Sequence, residues 1–229
     1  SCVGKDEDNM RYLGQLASFV LFPPESALTK SYKRALRDYV HFPPQAFEIA
    51  ARVVHALGLN QYAAMHVRRN ELQYKEVFLS GPEMYENVKA LLREGEPIYI
   101  ATDEKQEDYF AAFEAKHVVY RWKDLFTAKG KNALVGVDIP RKLEGCIEQI
   151  ICAGARVFAG TLESTFSSYI FRLRGYVKAP STQIYFNTEK YSGRVEADWS
   201  VTWAKKPERG QMYQSEWRNM WADMDDPSS

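Results

Sequence analysis

Cysteine is scarce in this sequence: Cys2, Cys146 and Cys152 are the three among 229 residues, beside four histidines. Their spacing matches neither a disulfide framework nor a zinc set. Cys146 and Cys152 fall in one helical pattern on different faces, with Cα atoms about 9 Å apart, too far to bridge. Buried free thiols acting as small apolar side chains are the expectation. An excess of one charge is also missing. Thirty basic and thirty acidic residues cancel, so the footprint of a generic nucleic-acid or anionic-membrane binder is absent, and any bound anion must be held by a local site. No apolar run approaches the roughly 20 residues of a membrane span. No charged-then-apolar leader opens the chain, which starts at Ser1. Glycine-rich phosphate loops of the dinucleotide or P-loop kind do not occur, nor do a Gly-x-Ser-x-Gly elbow, a Cys-His pair or a His-Glu-x-x-His helix. The common nucleotide-loop and hydrolase chemistries therefore have no support.

What is present is a globular composition, 45% apolar, enough for a sizeable core. Two Phe-Pro-Pro steps, at Phe22 and Phe42, each precede a stretch with helical apolar spacing, Ala27 to Val40 and Ala46 to Leu57; proline suits a helix start. From residue 62 onward short apolar runs alternate with amphipathic ones. Strands are expected at Tyr62–Val67, Pro97–Ala101, His117–Tyr120, Arg156–Ala159 and Gln183–Phe186. Helices are expected at Pro82–Glu94, Glu107–Ala115, Arg141–Ala153 and Ser164–Arg174. Such alternation predicts an α/β fold with a doubly wound, Rossmann-like parallel sheet. Three segments follow: an N-terminal helical extension over 1–60, the sheet domain over 61–190, and a C-terminal extension over 191–229. In the last, Tyr213, Trp217, Met220, Trp221 and Met224 recur at helical spacing, as in a helix packed by its aromatic face.

Doubly wound sheets bind ligands outside the carboxyl ends of their strands. After the first strand stand His66, Arg68 and Arg69; after the second, Thr102 and Asp103; after the fourth, Gly160-Thr161-Leu162-Glu163-Ser164-Thr165-Phe166. Arginine presents a planar fork that matches phosphate oxygens in pairs, so Arg68 suits a phosphate clamp; a structural ion pair is the alternative. Ser164 and Thr165 open a helix, where hydroxyls and backbone amides suit an anion, or where a serine simply caps the helix. Glu148, on the helix before the fourth strand, could accept hydrogen bonds from a base or be a solvated carboxylate. His66, at the inner end of a strand, suits a satisfied core histidine.

The block Met65-His66-Val67-Arg68-Arg69-Asn70 resembles the strand-end motif of protein O-fucosyltransferases and the related α1,2/α1,6 fucosyltransferases. Pro97 to Glu104 is similar to their next strand, and Glu148 to Ser168 resembles their final motif, an acidic residue before a strand and a Ser-Thr-Phe-Ser turn after it. The likeness runs over roughly residues 45 to 176. It implies the C-terminal donor-binding half of a GT-B glycosyltransferase, using GDP-fucose without a cofactor or metal and acting on a protein acceptor in the lumen of the endoplasmic reticulum or Golgi. By this resemblance Arg68 binds the β-phosphate and assists the leaving group, and Ser164, Thr165 and Phe166 hold the diphosphate. His66 lines the pocket, Asp103 lies near the nucleotide, and Glu148 reads the guanine edge where the family more often has Asp. The resemblance names no general base, because the family's N-terminal acceptor half has no visible counterpart before Tyr62. A fucosyltransferase acting on Ser or Thr hydroxyls and a non-catalytic GDP-sugar-binding module or fragment lacking the acceptor half therefore both stand, with a plain interaction domain behind them.

Overall fold

The structure, a computed structural model, describes residues 27–69, 78–161, 164–179, 182–184 and 225. Several expectations lie outside those residues: the polar N-terminal stretch, the first Phe-Pro-Pro step, Asn70 and Glu71, Leu162 and Glu163, the end of the fifth strand and the aromatic series near the C-terminus.

Helices α1 (Ala27–Tyr39) and α2 (Pro44–Leu57) come first. Pro43 caps α2 in an extended conformation and Pro44 supplies its first turn, where a missing N–H costs nothing. Ala46, Ile49, Ala50, Val53 and Leu57 form the buried stripe of α2, at the spacing of one helical face. Gly58 ends it with φ at +91°, a region other residues avoid. This stripe belongs to the same apolar core as the strands.

The sheet has five parallel strands, β1 (Ala63–Val67), β2 (Ile98–Thr102), β3 (Val119–Tyr120), β4 (Val157–Gly160) and β5 (Thr182–Ile184). Their spatial order is β3-β2-β1-β4-β5, with Ala63 opposite both Ile98 and Val157. The α/β, Rossmann-like expectation is met. Every residue of β1 is buried, as befits a central strand covered on both faces. Helices α3 (Gly81–Val88), α4 (Ala111–Glu114), α5 (Glu144–Ala153) and α6 (Thr165–Tyr176) supply the connections.

Three expected helices are broken into pieces. The Pro82–Glu94 pattern gives α3 and then a 3₁₀ turn over Lys89–Leu91. Glu107–Ala115 becomes a 3₁₀ turn followed by the single α-turn of α4. There the buried Phe110, at the end of the 3₁₀ turn, and Phe113, in the α-turn, meet the core together, edge to face with ring centroids 6.2 Å apart. Arg141–Leu143 likewise forms a 3₁₀ entry to α5. Helix α3 begins with a reciprocal cap between Ser80 and Glu83, which satisfies otherwise orphaned amides.

The amino ends of the strands are locked by arginine. Arg156 grips Glu96 through two contacts of 2.7 and 2.6 Å and donates to the Leu91 carbonyl at 2.8 Å. Arg174, fully buried, donates to the carbonyls of Ala153, Ala155 and Arg156 and pins α6 to the start of β4. Cys152 is buried and Cys146 half-buried, neither in a disulfide.

Candidate functional site

From β1 the chain runs outward to β2 and β3 on one side; from β4 it runs to β5 on the other. The gap between the ends of β1 and β4 is thus the point at which the connections diverge, where doubly wound sheets open a crevice. Arg68 and Arg69 leave β1 here, and Thr161 leaves β4.

Thr161 stitches the two ends together. Its hydroxyl donates to the His66 carbonyl at 2.8 Å and accepts the Arg68 N–H at 2.9 Å. Its own N–H donates to Ser167 Oγ at 2.9 Å, and Ser167 Oγ lies 2.7 Å from His66 Nδ1. Gly160 makes this closeness possible, since a Cβ there would lie 2.8 Å from Ser167 Oγ and Cβ. His66 is 4% exposed and stacks on Phe166 with ring centroids 4.3 Å apart. Burial first, and the positive charge of Arg68 second, push its imidazole down to about 3, so the ring is neutral near pH 7. His66 is thus the buried histidine expected of a strand end, paired through Nδ1 with Ser167, and it also contacts the Phe166 turn.

The neighbouring arginines divide their tasks. Successive side chains of an extended chain point opposite ways. Arg69 turns to Glu104 at 3.0 Å and to the Leu79 carbonyl at 3.3 Å, between the rings of Phe78 and Tyr109. Its backbone N–H donates to Asp103 at 2.7 Å, so Arg69 builds the wall. Arg68 places Nη1 3.2 Å from Asp103, with the two side chains 32% and 24% exposed. The ion pair set against the clamp in the sequence reading is therefore present. Water reaches it, which limits its strength and leaves the guanidinium in reach of a competing anion.

Ser164 holds the cap position of α6 in an extended conformation, is buried, and makes no capping hydrogen bond through its side chain. The ordinary serine cap foreseen as one alternative is not formed. Thr165 and Phe166 occupy the first turn, half-buried, where helical amides lack intrahelical partners and the macrodipole favours an anion. Phe166 is held from the other side by α5: Gln149 donates to its carbonyl at 3.0 Å.

Glu148 lies back from this edge. It accepts from the Tyr99 hydroxyl of β2 at 2.8 Å, and its carboxyl is pushed up to about 7 by burial, with the Tyr99 bond opposing and Glu144 adding to the rise. It is not the solvated helix carboxylate of the sequence alternative. The structure thus gathers His66, Arg68, Thr161, Phe166 and Ser167 at the ends of β1 and β4, with Asp103 beyond β2 beside Arg68, Ser164 and Thr165 at the start of α6, and Glu148 on the α5 wall. Thr161, Ser167 and Tyr99 had no role in the sequence reading. Ser167 carried one faint signal, a second serine three residues into the helix, on the side that returns to the sheet.

An apolar groove of about 780 Å³, lined by Phe47, Val54, Leu59, Ile150, Leu173 and Val177 among others, opens instead at the amino ends of the strands. None of the sequence-predicted site residues lines it.

Sheet order defines a Rossmann-like domain, with Arg68 and the start of α6 following the adjacent strands at its switch point. Residues 4–177 match the family model described as GDP-fucose protein O-fucosyltransferase, and the chain belongs to that family. No curated protein matches it.

Proposed function

We propose that this chain binds GDP-fucose in the β1–β4 crevice and transfers fucose to a Ser or Thr hydroxyl of a protein acceptor. The observation that carries the reading is that the accessible Arg68 guanidinium leaves β1 and the start of α6 follows β4, on adjacent strands at the switch point, in a chain of this family. Negative charge grows on the departing diphosphate as the sugar–oxygen bond breaks. Arg68, fixed through its own backbone by Thr161, meets that charge with a planar pair of donors, and the α6 amides meet it without needing to reorganise. The two supply the stabilisation that a metal ion provides elsewhere. Asp103 holds Arg68 until the phosphate replaces it. Glu148 accepts hydrogen bonds from the guanine edge, Phe166 forms the apolar side of the pocket, and His66 lines it. The family points to a lumenal compartment of the secretory pathway, and among the described residues no helix is long and apolar enough to cross a membrane.

A panel of radiolabelled nucleotide sugars, offered with folded and unfolded protein acceptors, tests the reading. Transfer or hydrolysis with GDP-fucose is expected. Turnover of a different donor, with none from GDP-fucose, would overturn it. Tight GDP binding by calorimetry without turnover on any acceptor would favour the non-catalytic module.

A further inference from the structure

We infer that Ser167 is a positioning residue that fixes His66 in a single neutral tautomer, with the proton on Nε2 and the lone pair of Nδ1 turned to the serine. The argument is an accounting of hydrogen atoms. Ser167 is fully buried, and a buried hydroxyl must place its one proton on an acceptor. Among the described residues two polar atoms lie within hydrogen-bond reach of its oxygen: the Thr161 amide nitrogen at 2.9 Å and His66 Nδ1 at 2.7 Å. The amide is a donor and cannot receive the proton. Nδ1 is the acceptor that remains, so it carries no hydrogen. Because burial keeps the imidazole neutral, the ring's single proton lies on Nε2.

Three features make this arrangement rigid. Gly160 leaves no room for a Cβ beside Ser167, the Thr161 amide orients the serine oxygen, and Phe166 stacks on the ring at an interplanar angle of 26°. The opposite tautomer would set Nδ1–H against an oxygen already accepting from Thr161 and leave the serine proton without a partner, a cost of the kind that keeps such groups rare. The consequence rests on the GDP-fucose reading of the crevice: an imidazole locked this way offers an uncharged N–H donor to a diphosphate oxygen near pH 7. The tautomer itself does not depend on that reading.

Nitrogen-15 labelling of the four histidines in the full chain, with long-range proton–nitrogen correlation at pH 7 and His66 assigned by His66→Gln, reads the tautomer directly. A neutral Nε2–H pattern for His66 is expected, and its loss to a mixture or to the Nδ1–H form in Ser167→Ala. A wild-type ring in the Nδ1–H form or fully protonated would overturn the inference, and needs no variant to be seen. So would an unchanged Nε2–H pattern in a folded Ser167→Ala. Adding GDP separates the two readings: a shifted Nε2–H signal supports both. An Nε2–H ring indifferent to saturating GDP upholds the tautomer and removes His66 from the ligand site.

Discussion

Replacing Glu148 by Gln should stabilise the protein in a strongly pH-dependent way while weakening its hold on GDP. In the folded chain the Glu148 carboxyl is raised from 4.5 to about 7, whereas in the unfolded chain it returns to the ordinary value. Below pH 4.5 both states are protonated and the position imposes no penalty. Between pH 4.5 and 7 the native state holds a proton that the unfolded state has released, so stability falls as pH rises. Above 7 the native state must bear a desolvated charge, and the loss is complete. At 1.36 kcal/mol per unit, that loss reaches up to about 3 kcal/mol. Glutamine is neutral throughout, keeps an oxygen to accept from Tyr99, and escapes the loss. Glu148→Gln should therefore match the wild type in urea unfolding at pH 4 and exceed it by up to about 3 kcal/mol at pH 8. In thermal melts that corresponds to roughly 6–12 °C for a chain of this size. Calorimetry at pH 8 should show weaker GDP binding in the variant, because an amide cannot accept both guanine N–H groups as a carboxylate does. Equal stability differences at the two pH values would refute the burial argument, and unchanged GDP affinity would remove Glu148 from the site.

Arg68→Lys should lose 10²-fold or more of GDP-fucose turnover with an unchanged melting temperature, since lysine keeps the charge but not the paired donors; near-normal turnover would show that Arg68 serves only its ion pair with Asp103. Glu96→Ala leaves the partly exposed Arg156 guanidinium without its buried carboxylate partner and should cost about 1–3 kcal/mol in urea unfolding, with no specific effect on GDP affinity per folded molecule. Gly160→Ala drives a methyl group to 2.8 Å from Ser167 and should cost roughly 1–3 kcal/mol. Because that serine also holds the Thr161 amide, GDP affinity should fall in parallel, and a loss of stability with intact binding would uncouple the stitch from the crevice.

The sequence by itself determined the architecture and the edge at which to look. The strand runs expected at Tyr62–Val67 and Arg156–Ala159 are short and largely apolar because both faces of a central parallel strand are buried, and amphipathic helices between them leave few arrangements open. It also determined which residues leave those strands, because chain order alone puts Arg68 after β1 and Thr161 after β4. Tertiary structure decided what those residues do. Arg68 and Arg69 are adjacent and chemically identical, yet one stays partly exposed beside Asp103 and the other is locked between Phe78 and Tyr109, a choice set by pleat direction and by partners 9 to 40 residues away. Ser164 stands where a helix cap belongs and makes no capping bond through its side chain, while Ser167 binds His66 across 101 residues of chain. Helical spacing says that Glu148 lies on a particular face, but its proton affinity depends on burial against Tyr99. Hydrogen-bond partnership and desolvation are properties of neighbours in space, and local sequence carries neither until the sheet is assembled.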